Sequence, residues 1–296
     1  MHQAKFKGRL LPFLLLAPTL AILIVFLYYP VFETFRLSLY RVAFLGLKKT
    51  FVGFANFSEL FHNPDYIHSV LVTLVVTTTV VIGGLGISLA ISVLANQKIR
   101  GARVYRLLLI WPYAISPAIA GVVWLFLFSP GYGIVNYLLS LTFHITPNWL
   151  GDPFLAVFII IVASIWKNLG YNVAFYLAAL QNLNTDVLEA ALIDGASHWR
   201  RFWSVTFPLL SPITFFLLIT NITYAFFDIF PIVDVMTKGG PFNATNILIY
   251  NLYREGFEYY RTGSAAAQSL ILFFGVVVLT LIQFRTSGRR VHYEGA

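Results

Sequence analysis

Cysteine is absent from the 296 residues of this sequence, and only 11% of the residues are charged. The first absence excludes disulfides, thiol catalysis and cysteine-based metal sites. Soluble domains carry charge on about 25% of their residues, whereas 58% of this chain is hydrophobic, so an ordinary soluble enzyme is excluded. In so apolar a chain, a net charge of +8 is typical of the cytoplasmic loops of a membrane protein. We therefore predict no nucleic-acid partner.

Motifs for enzymatic chemistry are missing as well. The sequence has no GxxxxGK[ST] loop with which to hydrolyse ATP and no HExxH or similar spacing among its six histidines. The serines within the apolar runs lack a nucleophile-elbow motif. We predict no catalytic residue and no metal site in this chain, and any energy source must come from elsewhere.

Long apolar runs are what the sequence has instead. About 20 such residues are enough for a helix to cross ~30 Å of hydrocarbon, so we predict an all-α integral membrane protein with about six transmembrane helices. We expect one membrane domain over 1–296, with the first span retained rather than cleaved. The predicted spans are 10–32, 67–95, 105–128, 154–181, 208–233 and 263–284.

Lysine and arginine predict the orientation of these spans. With the N-terminus inside, the inner segments carry twelve of these residues and the outer connections carry seven, while Lys167 lies within a span. Because cytoplasmic loops are enriched in positive residues, we predict that both termini and the connection 182–207 lie in the cytoplasm.

The connection 182–207 has the pattern of two short helices rather than of a simple linker. Thr185 is a candidate N-cap of the first helix, Gly195 is suited to the left-handed turn that ends it, and Ser197 is a candidate cap of the second. The first helix carries Glu189 beside two alanines, Ala190 and Ala191, which let another protein's backbone approach closely.

A second interpretation of this connection remains open from the residues alone. Its later part contains Trp199, Arg200, Phe202 and Trp203, which are side chains typical of a helix lying in the membrane interface.

The same connection resembles the EAA loop of permease subunits in binding-protein-dependent ABC importers. The resemblance rests on Glu189-Ala190-Ala191, on Ile193-Asp194-Gly195-Ala196, and on Pro208 thirteen residues after the glycine. The family's Ile-x-Leu before that proline is Val205-Thr206-Phe207 here. Trp166-Lys167 and Gly239-Gly240-Pro241 resemble features of the carbohydrate, or maltose-type, branch.

This resemblance implies the type I ABC importer permease fold in the cytoplasmic (inner) membrane. The implied partners are a second permease subunit, two ATPase subunits that bind ATP and Mg²⁺, an external solute-binding protein and membrane lipid, with no cofactor in this chain. The residues implied to couple the chain to the ATPases are Glu189, Ala190, Ala191, Asp194 and Gly195.

Within that branch, the chain resembles the A-type permeases of glycerol-3-phosphate importers. The stretches that carry the resemblance are Trp111–Ala114, Trp124–Phe128, Tyr224–Asp228, Tyr253–Phe257 and Ser264–Ser269. The implied substrate is sn-glycerol-3-phosphate or a related glycerophosphodiester. The alternatives are a permease for a neutral sugar or oligosaccharide, an ion-coupled secondary transporter and an integral-membrane enzyme.

Polar side chains form a stripe on each of the two spans that flank the loop. At about 1.5 Å per residue, Lys167 and Asn221 both lie roughly 20 Å above the cytoplasmic end of their spans. Ionisable residues at such a depth normally face a partner or a wet cavity, so we expect either a substrate cavity or a structural ion pair between Lys167 and Asp228. The predicted substrate-binding residues are Ser164, Lys167, Asn168 and Tyr171 on one span and Asn221, Tyr224 and Asp228 on the other.

In the cavity interpretation, Lys167 attracts the phosphate, while Asn168 and Asn221 hydrogen-bond substrate oxygens. Tyr171 and Tyr224 pack against the carbon skeleton, and Asp228 orients Lys167 or contacts hydroxyls.

Overall fold

The structure is a computed structural model that describes residues 10–43, 48–97 and 100–287. These residues form two compact units. One contains the described residues up to Asn63 together with Leu252–Phe273, and the other contains the described residues of Pro64–Asn251 and those from Phe274 onward. The predicted single domain and the bounds of the cytoplasmic loop stay predictions.

Helices dominate the described chain, and some of them continue through short π-helical segments. The α-helices, in chain order, are α1 (Leu10–Leu23), α2 (Tyr29–Ser38), α3 (Ala55–His62), α4 (Pro64–Ala95), α5 (Ala102–Ala114), α6 (Pro117–Leu127), α7 (Ile134–Phe143), α8 (Pro153–Gln181), α9 (Thr185–Ile193), α10 (His198–Arg201), α11 (Phe207–Leu209), α12 (Ser211–Thr223), α13 (Phe230–Met236), α14 (Leu248–Tyr253) and α15 (Thr262–Ser287). The π-helical segments are Ile24–Tyr28, Phe202–Thr206, Tyr224–Asp228 and Arg254–Glu258.

A small hairpin in the first unit departs from the predicted all-helical pattern. Strands β1 (Tyr40–Ala43) and β2 (Lys48–Phe51) pair antiparallel, with Tyr40 opposite Phe51. The buried amide of Asn56 in α3 donates to the carbonyl oxygens of Ser38 at 2.7 Å and of Tyr40 at 3.1 Å. These bonds hold the end of α2 and the start of the hairpin against α3.

The second unit is built around α8, which packs along α4 and α5. Ile159, Ile160 and Val173 of α8 are fully buried, as expected for the inward side of a central helix. Polar bonds add to this packing, because Ser92 Oγ in α4 donates to the carbonyl oxygen of Val173 at 3.4 Å. Thus α8 is held by its neighbours along much of its length.

The predicted spans agree with the helices at five places and differ at one. Five helices are long and apolar enough to cross a membrane: Phe13–Ser38, Pro64–Ala95, Pro153–Gln181, Ser211–Met236 and Thr262–Arg285. The predicted span 105–128 is not one continuous helix, because α5 and α6 meet at an angle of 101°. Counting this broken span gives six, which agrees with the expected number.

The loop after α13 contains the predicted Gly-Gly-Pro motif and has a compact internal structure. Thr245 Oγ1 lies 2.7 Å from Thr237 Oγ1 and donates to the carbonyl oxygen of Gly240 at 2.7 Å. The tip of the loop is Phe242, whose side chain is 90% exposed.

Candidate functional site

The break between α5 and α6 forms one wall of the candidate site. Ile115 has an extended backbone, and Ser116 begins α6 by accepting a hydrogen bond from the N–H of Ile119. Pro117 follows at the first helical position, and the residue before a proline is disfavoured from the helical region. The sequence therefore ends α5 here and starts a new helix in another direction.

Close contact between backbones fixes α8 beside this break. A Cβ atom added at Gly170 would lie 2.6 Å from the carbonyl oxygen of Ile110 in α5, a distance that two such atoms do not tolerate. Glycine therefore allows α5 and α8 to touch. Lys167, about one turn before Gly170, and Tyr171, the residue after it, then reach the break, and the rings of Tyr113 and Tyr171 lie 5.3 Å apart.

Lys167 is 95% buried, since only 5% of the residue is exposed. Its Nζ donates to the backbone carbonyl of Tyr113 at 3.1 Å and lies 4.7 Å from the centre of the Tyr113 ring. This carbonyl belongs to the last turn of α5, where the helix dipole favours a positive charge. Within the described residues, Lys167 forms no ion pair with Asp228, so the alternative of a direct bridge between the two spans is not observed.

A cluster of three asparagines joins α8 to α12. Asn168 and Asn172 of α8 donate to the Oδ1 of Asn221 at 2.8 and 3.0 Å. Asn221 donates to the Oδ1 of Asn172 at 2.7 Å and to the carbonyl oxygen of Leu217 at 2.8 Å. Burying an amide costs free energy unless it is hydrogen-bonded. Here the asparagines of α8 and α12 provide each other's hydrogen-bond partners.

The break, α8, α12 and the π-helical segment after α12 line an open cavity of about 480 Å³. This volume lies within the range of small-molecule sites. Lys167 is the only basic residue of the lining and Asp228 the only acidic one. The lining consists of Tyr113, Ile115, Pro117, Lys167, Asn168, Tyr171, Thr220, Tyr224 and Asp228.

Five of the seven predicted substrate-binding residues line this cavity, and two do not. Ser164 is fully buried and donates to the carbonyl of Ile160, while its own carbonyl accepts from the Tyr224 hydroxyl at 3.1 Å. Asn221 is 1% exposed and belongs to the asparagine cluster. Both therefore support the wall from behind in this structure.

Sequence reasoning missed the residues from the broken span. Tyr113, Ile115 and Pro117 contribute to the lining, as does Thr220. The signal that could have identified them is the pair of prolines, Pro112 and Pro117, within one apolar run, because two prolines five residues apart weaken a continuous helix. Asn172 was also missed.

A π-helical segment places the last predicted residue of the cavity. Tyr224–Asp228 follows α12 directly, and a π-helix bonds each residue to the fifth one along rather than to the fourth. Tyr224 and Asp228, the first and last residues of this segment, both line the cavity.

The predicted cytoplasmic loop forms the expected pair of short helices. Asn184, rather than Thr185, caps α9, because its side chain accepts from the N–H of Asp186 at 2.9 Å. The predicted cap, Thr185, is therefore wrong by one residue. Asn and Thr are both good capping residues, so the two neighbours compete for the position. The other two expectations are confirmed: Gly195 is left-handed with φ of +74°, and Ser197 caps α10.

The solvent-exposed surface of α9 is partly apolar. Glu189, Ala190 and Asp194 are exposed while Ala191 is half-buried. The Ile193 side chain is 87% exposed, which is unusual for isoleucine and typical of a surface that contacts another protein or a membrane.

Comparison with known proteins identifies the family. Residues 82–291, which include the cavity and this loop, match the model of the binding-protein-dependent transport system inner membrane component. The chain belongs to this family. The family match and the apolar helices make the chain a multi-pass inner membrane permease, which confirms the predicted family and fold.

Curated relatives match the permease over nearly its whole length. It is 44% identical over 294 residues to the sn-glycerol-3-phosphate transport system permease protein UgpA of Rhizobium meliloti (strain 1021), covering 99% of this chain and 100% of that protein. It is also 44% identical over 289 residues to the UgpA protein of Shigella flexneri, covering 98% of each.

Solved structures share the fold of the permease. A chain of a bacterial ABC transporter involved in the import of the acidic polysaccharide alginate has a TM-score of 0.82 and 23% sequence identity, covering 95% of this chain and 96% of that one. A second structure of a bacterial alginate ABC transporter, in complex with an alginate pentasaccharide-bound periplasmic protein, also has a TM-score of 0.82.

Proposed function

We propose that this permease is the membrane-spanning subunit of an ATP-driven importer of sn-glycerol-3-phosphate or a related glycerophosphodiester. The observation that carries the proposal is 44% identity over almost the entire length to permeases named for sn-glycerol-3-phosphate. The cavity supports the same conclusion through its charge, because a buried lysine lines a space large enough for a small anion.

Lys167 is the residue of this chain best placed to attract the phosphate. One of its three N–H groups bonds to the Tyr113 carbonyl, so two remain for a ligand. A charged group near the membrane centre costs at least ~2.5 kcal/mol on insertion scales, and an anionic ligand offsets part of that cost. Asp228 lines the same cavity and would accept hydrogen bonds from substrate hydroxyls.

We assign the remaining parts of the importer to partners. A second permease supplies the facing wall of the cavity, an external solute-binding protein delivers substrate, and two ATPase subunits bind ATP and Mg²⁺. In this arrangement the exposed surface of α9, with Glu189, Ala190, Ala191, Asp194 and Gly195, contacts an ATPase. Both termini then lie in the cytoplasm.

Reconstituted transport tests this function. We expect the assembled complex with its binding protein to take up labelled glycerol-3-phosphate only when ATP is present, and neutral sugars not to compete. Because a hydrogen bond to a charged group contributes about 1.5–3 kcal/mol, Lys167→Met should lower uptake at least about tenfold. Lys49→Met is the matched control, since Lys49 lies in β2 and outside the cavity lining.

Two results would contradict this proposal at different levels. Uptake of a neutral sugar that excess glycerol-3-phosphate does not reduce would exclude the phosphate substrate. Uptake driven by an ion gradient without ATP would exclude the importer. Unchanged uptake by Lys167→Met would remove only that residue from the site.

A further inference from the structure

The asparagine cluster between α8 and α12 has only one consistent arrangement of its amide atoms. The oxygen and nitrogen of an asparagine side chain are normally distinguished by their hydrogen-bond partners. Here one partner is the backbone carbonyl of Leu217, 2.8 Å from the Asn221 side chain. A carbonyl oxygen only accepts, so the Asn221 atom that faces it is Nδ2.

The orientation of Asn221 then fixes its two neighbours. With Nδ2 toward Leu217, the Oδ1 of Asn221 faces α8, where Asn168 and Asn172 approach it at 2.8 and 3.0 Å. Both must turn their N–H groups toward this oxygen. Asn221 thereby donates two hydrogen bonds and accepts two, which uses its full capacity, and no group is left for a ligand.

Asn168 is the only member of the cluster that also lines the cavity. Turning its amide by 180° would place two oxygens against each other, so its Nδ2 stays directed at Asn221. Its Oδ1 is then available to the cavity, and within the described part of the chain this oxygen accepts no hydrogen bond. An amide oxygen accepts from a hydroxyl and repels a phosphate oxygen that carries no proton.

We infer that Asn221 is a positioning residue which, through the Leu217 carbonyl, holds Asn168 with its oxygen toward the cavity, and that this oxygen recognises a hydroxyl of the substrate. Asn168 and Lys167 are adjacent in α8, so the wall presents an acceptor beside a cation. This pairing selects a hydroxylated anion over one without hydroxyls. The inference rests on the proposed function for the identity of that anion.

Fluorinated substrate analogues test the inference in the assembled importer. Replacing one hydroxyl of glycerol-3-phosphate by fluorine removes the donor and changes the size of the group little. We expect wild-type complex to take up at least one of the two monofluoro analogues at least about tenfold less well than the parent, because an acceptor left facing fluorine loses its partner.

Two alanine variants separate positioning from simple support of the fold. Asn221→Ala frees the Asn168 amide to rotate, so the preference for hydroxyl over fluorine should fall to within about threefold. Asn172→Ala is the matched control: it removes another buried amide of the same cluster, but Asn221 keeps its bond to Leu217, so the preference should stay as in wild type. If Asn221 only stabilised the fold, the hydroxyl preference would change to the same extent in Asn221→Ala and in Asn172→Ala.

The outcomes are distinct for the inference and for the proposed function. A wild-type preference that persists in Asn221→Ala, or a wild type without preference, overturns the inference. If Asn221→Ala does not assemble, Asn168→Leu leaves the Asn172–Asn221 pair intact; loss of the preference then supports the inference, and its persistence refutes it. If the complex carries a neutral sugar instead, the proposed function is wrong, and the same comparison is made with that sugar and its deoxyfluoro analogues.

Discussion

Gly170 shows how a single residue without a side chain determines what the cavity wall presents. The backbone of α8 contacts that of α5 at this point, and Lys167 reaches the Tyr113 carbonyl from one turn away. Moving the two helices apart would lengthen that bond and uncover the lysine. The position of a charged group thus depends on an uncharged neighbour.

We predict that Gly170→Ala destabilises the permease and impairs transport. The added Cβ meets the backbone of Ile110, which has no flexible end to move aside, and overpacking of this kind costs about 1–3 kcal/mol. Gly86→Ala in α4 is the matched control, because a Cβ there meets nothing within 4 Å. Thermal unfolding of the purified complexes should show a lower midpoint for Gly170→Ala alone; equal midpoints would refute the close contact.

Helical spacing predicted part of the site because residues on one face of a helix share surroundings. It placed Lys167, Asn168 and Tyr171 together on α8, and all three line the cavity. Spacing alone says nothing about which neighbour a side chain meets. Asn221 was expected at the substrate because it shares a helix face with Tyr224 and Asp228 and lies at the depth of Lys167, yet its partner is Asn172 on another helix.

Among the elements, the broken span was the hardest to predict. The apolar run 105–128 has the length and hydropathy of one helix. Neither property shows whether the helix axis changes direction within the run. The break combines a local signal with a tertiary contact: Ser116 caps α6, and the Lys167 amine of α8 bonds to the last turn of α5. The contact with α8 is not visible in a window of local sequence.

The structure of the loop 182–207 was predicted more closely because its signals are local. Capping side chains and a left-handed glycine act on residues within one turn. Gly195 ends α9 as expected, with the N–H of Ala196 bonded to the carbonyl of Ala191 at 3.0 Å. The cap itself moved from Thr185 to Asn184, because neighbouring residues of similar chemistry compete for that position.

We predict that Gly195→Leu damages coupling between the loop and the ATPases. The φ of +74° is unfavourable for leucine by roughly 1–2 kcal/mol, although a Cβ there meets nothing within 4 Å. Substrate-stimulated ATP hydrolysis should fall several-fold while membrane insertion stays normal. Gly195→Asn is the control, since asparagine adopts this conformation more readily; wild-type coupling in the leucine variant would show that the loop is not the coupling element.

For the whole molecule, hydropathy predicted the number of spans because the bilayer permits few kinds of backbone structure to cross it. A spanning segment must satisfy its backbone internally, which in an apolar chain of this kind means helices. Lysine and arginine counts predict the orientation of those helices, and this orientation stays a prediction.

We predict that a cysteine at position 242 is labelled from outside the cell and one at 193 only from inside. Phe242 and Ile193 are 90% and 87% exposed, so Phe242→Cys and Ile193→Cys should both be reactive. The natural chain has no cysteine, so it contributes no background. A membrane-impermeant maleimide added to intact spheroplasts should modify only the first variant, and permeabilisation should add the second. The reverse pattern would place both termini outside.

The π-helical segment at Tyr224–Asp228 has a consequence for how permease sequences are compared. A turn with one residue more than an α-helical turn is equivalent to a one-residue insertion. Deleting one residue there would rotate everything that follows by about 100° and turn α13 to present another side. Related chains in which this helix is regular should therefore align with a gap of one position at this point, and an ungapped alignment would pair Asp228 with a residue that occupies a different place.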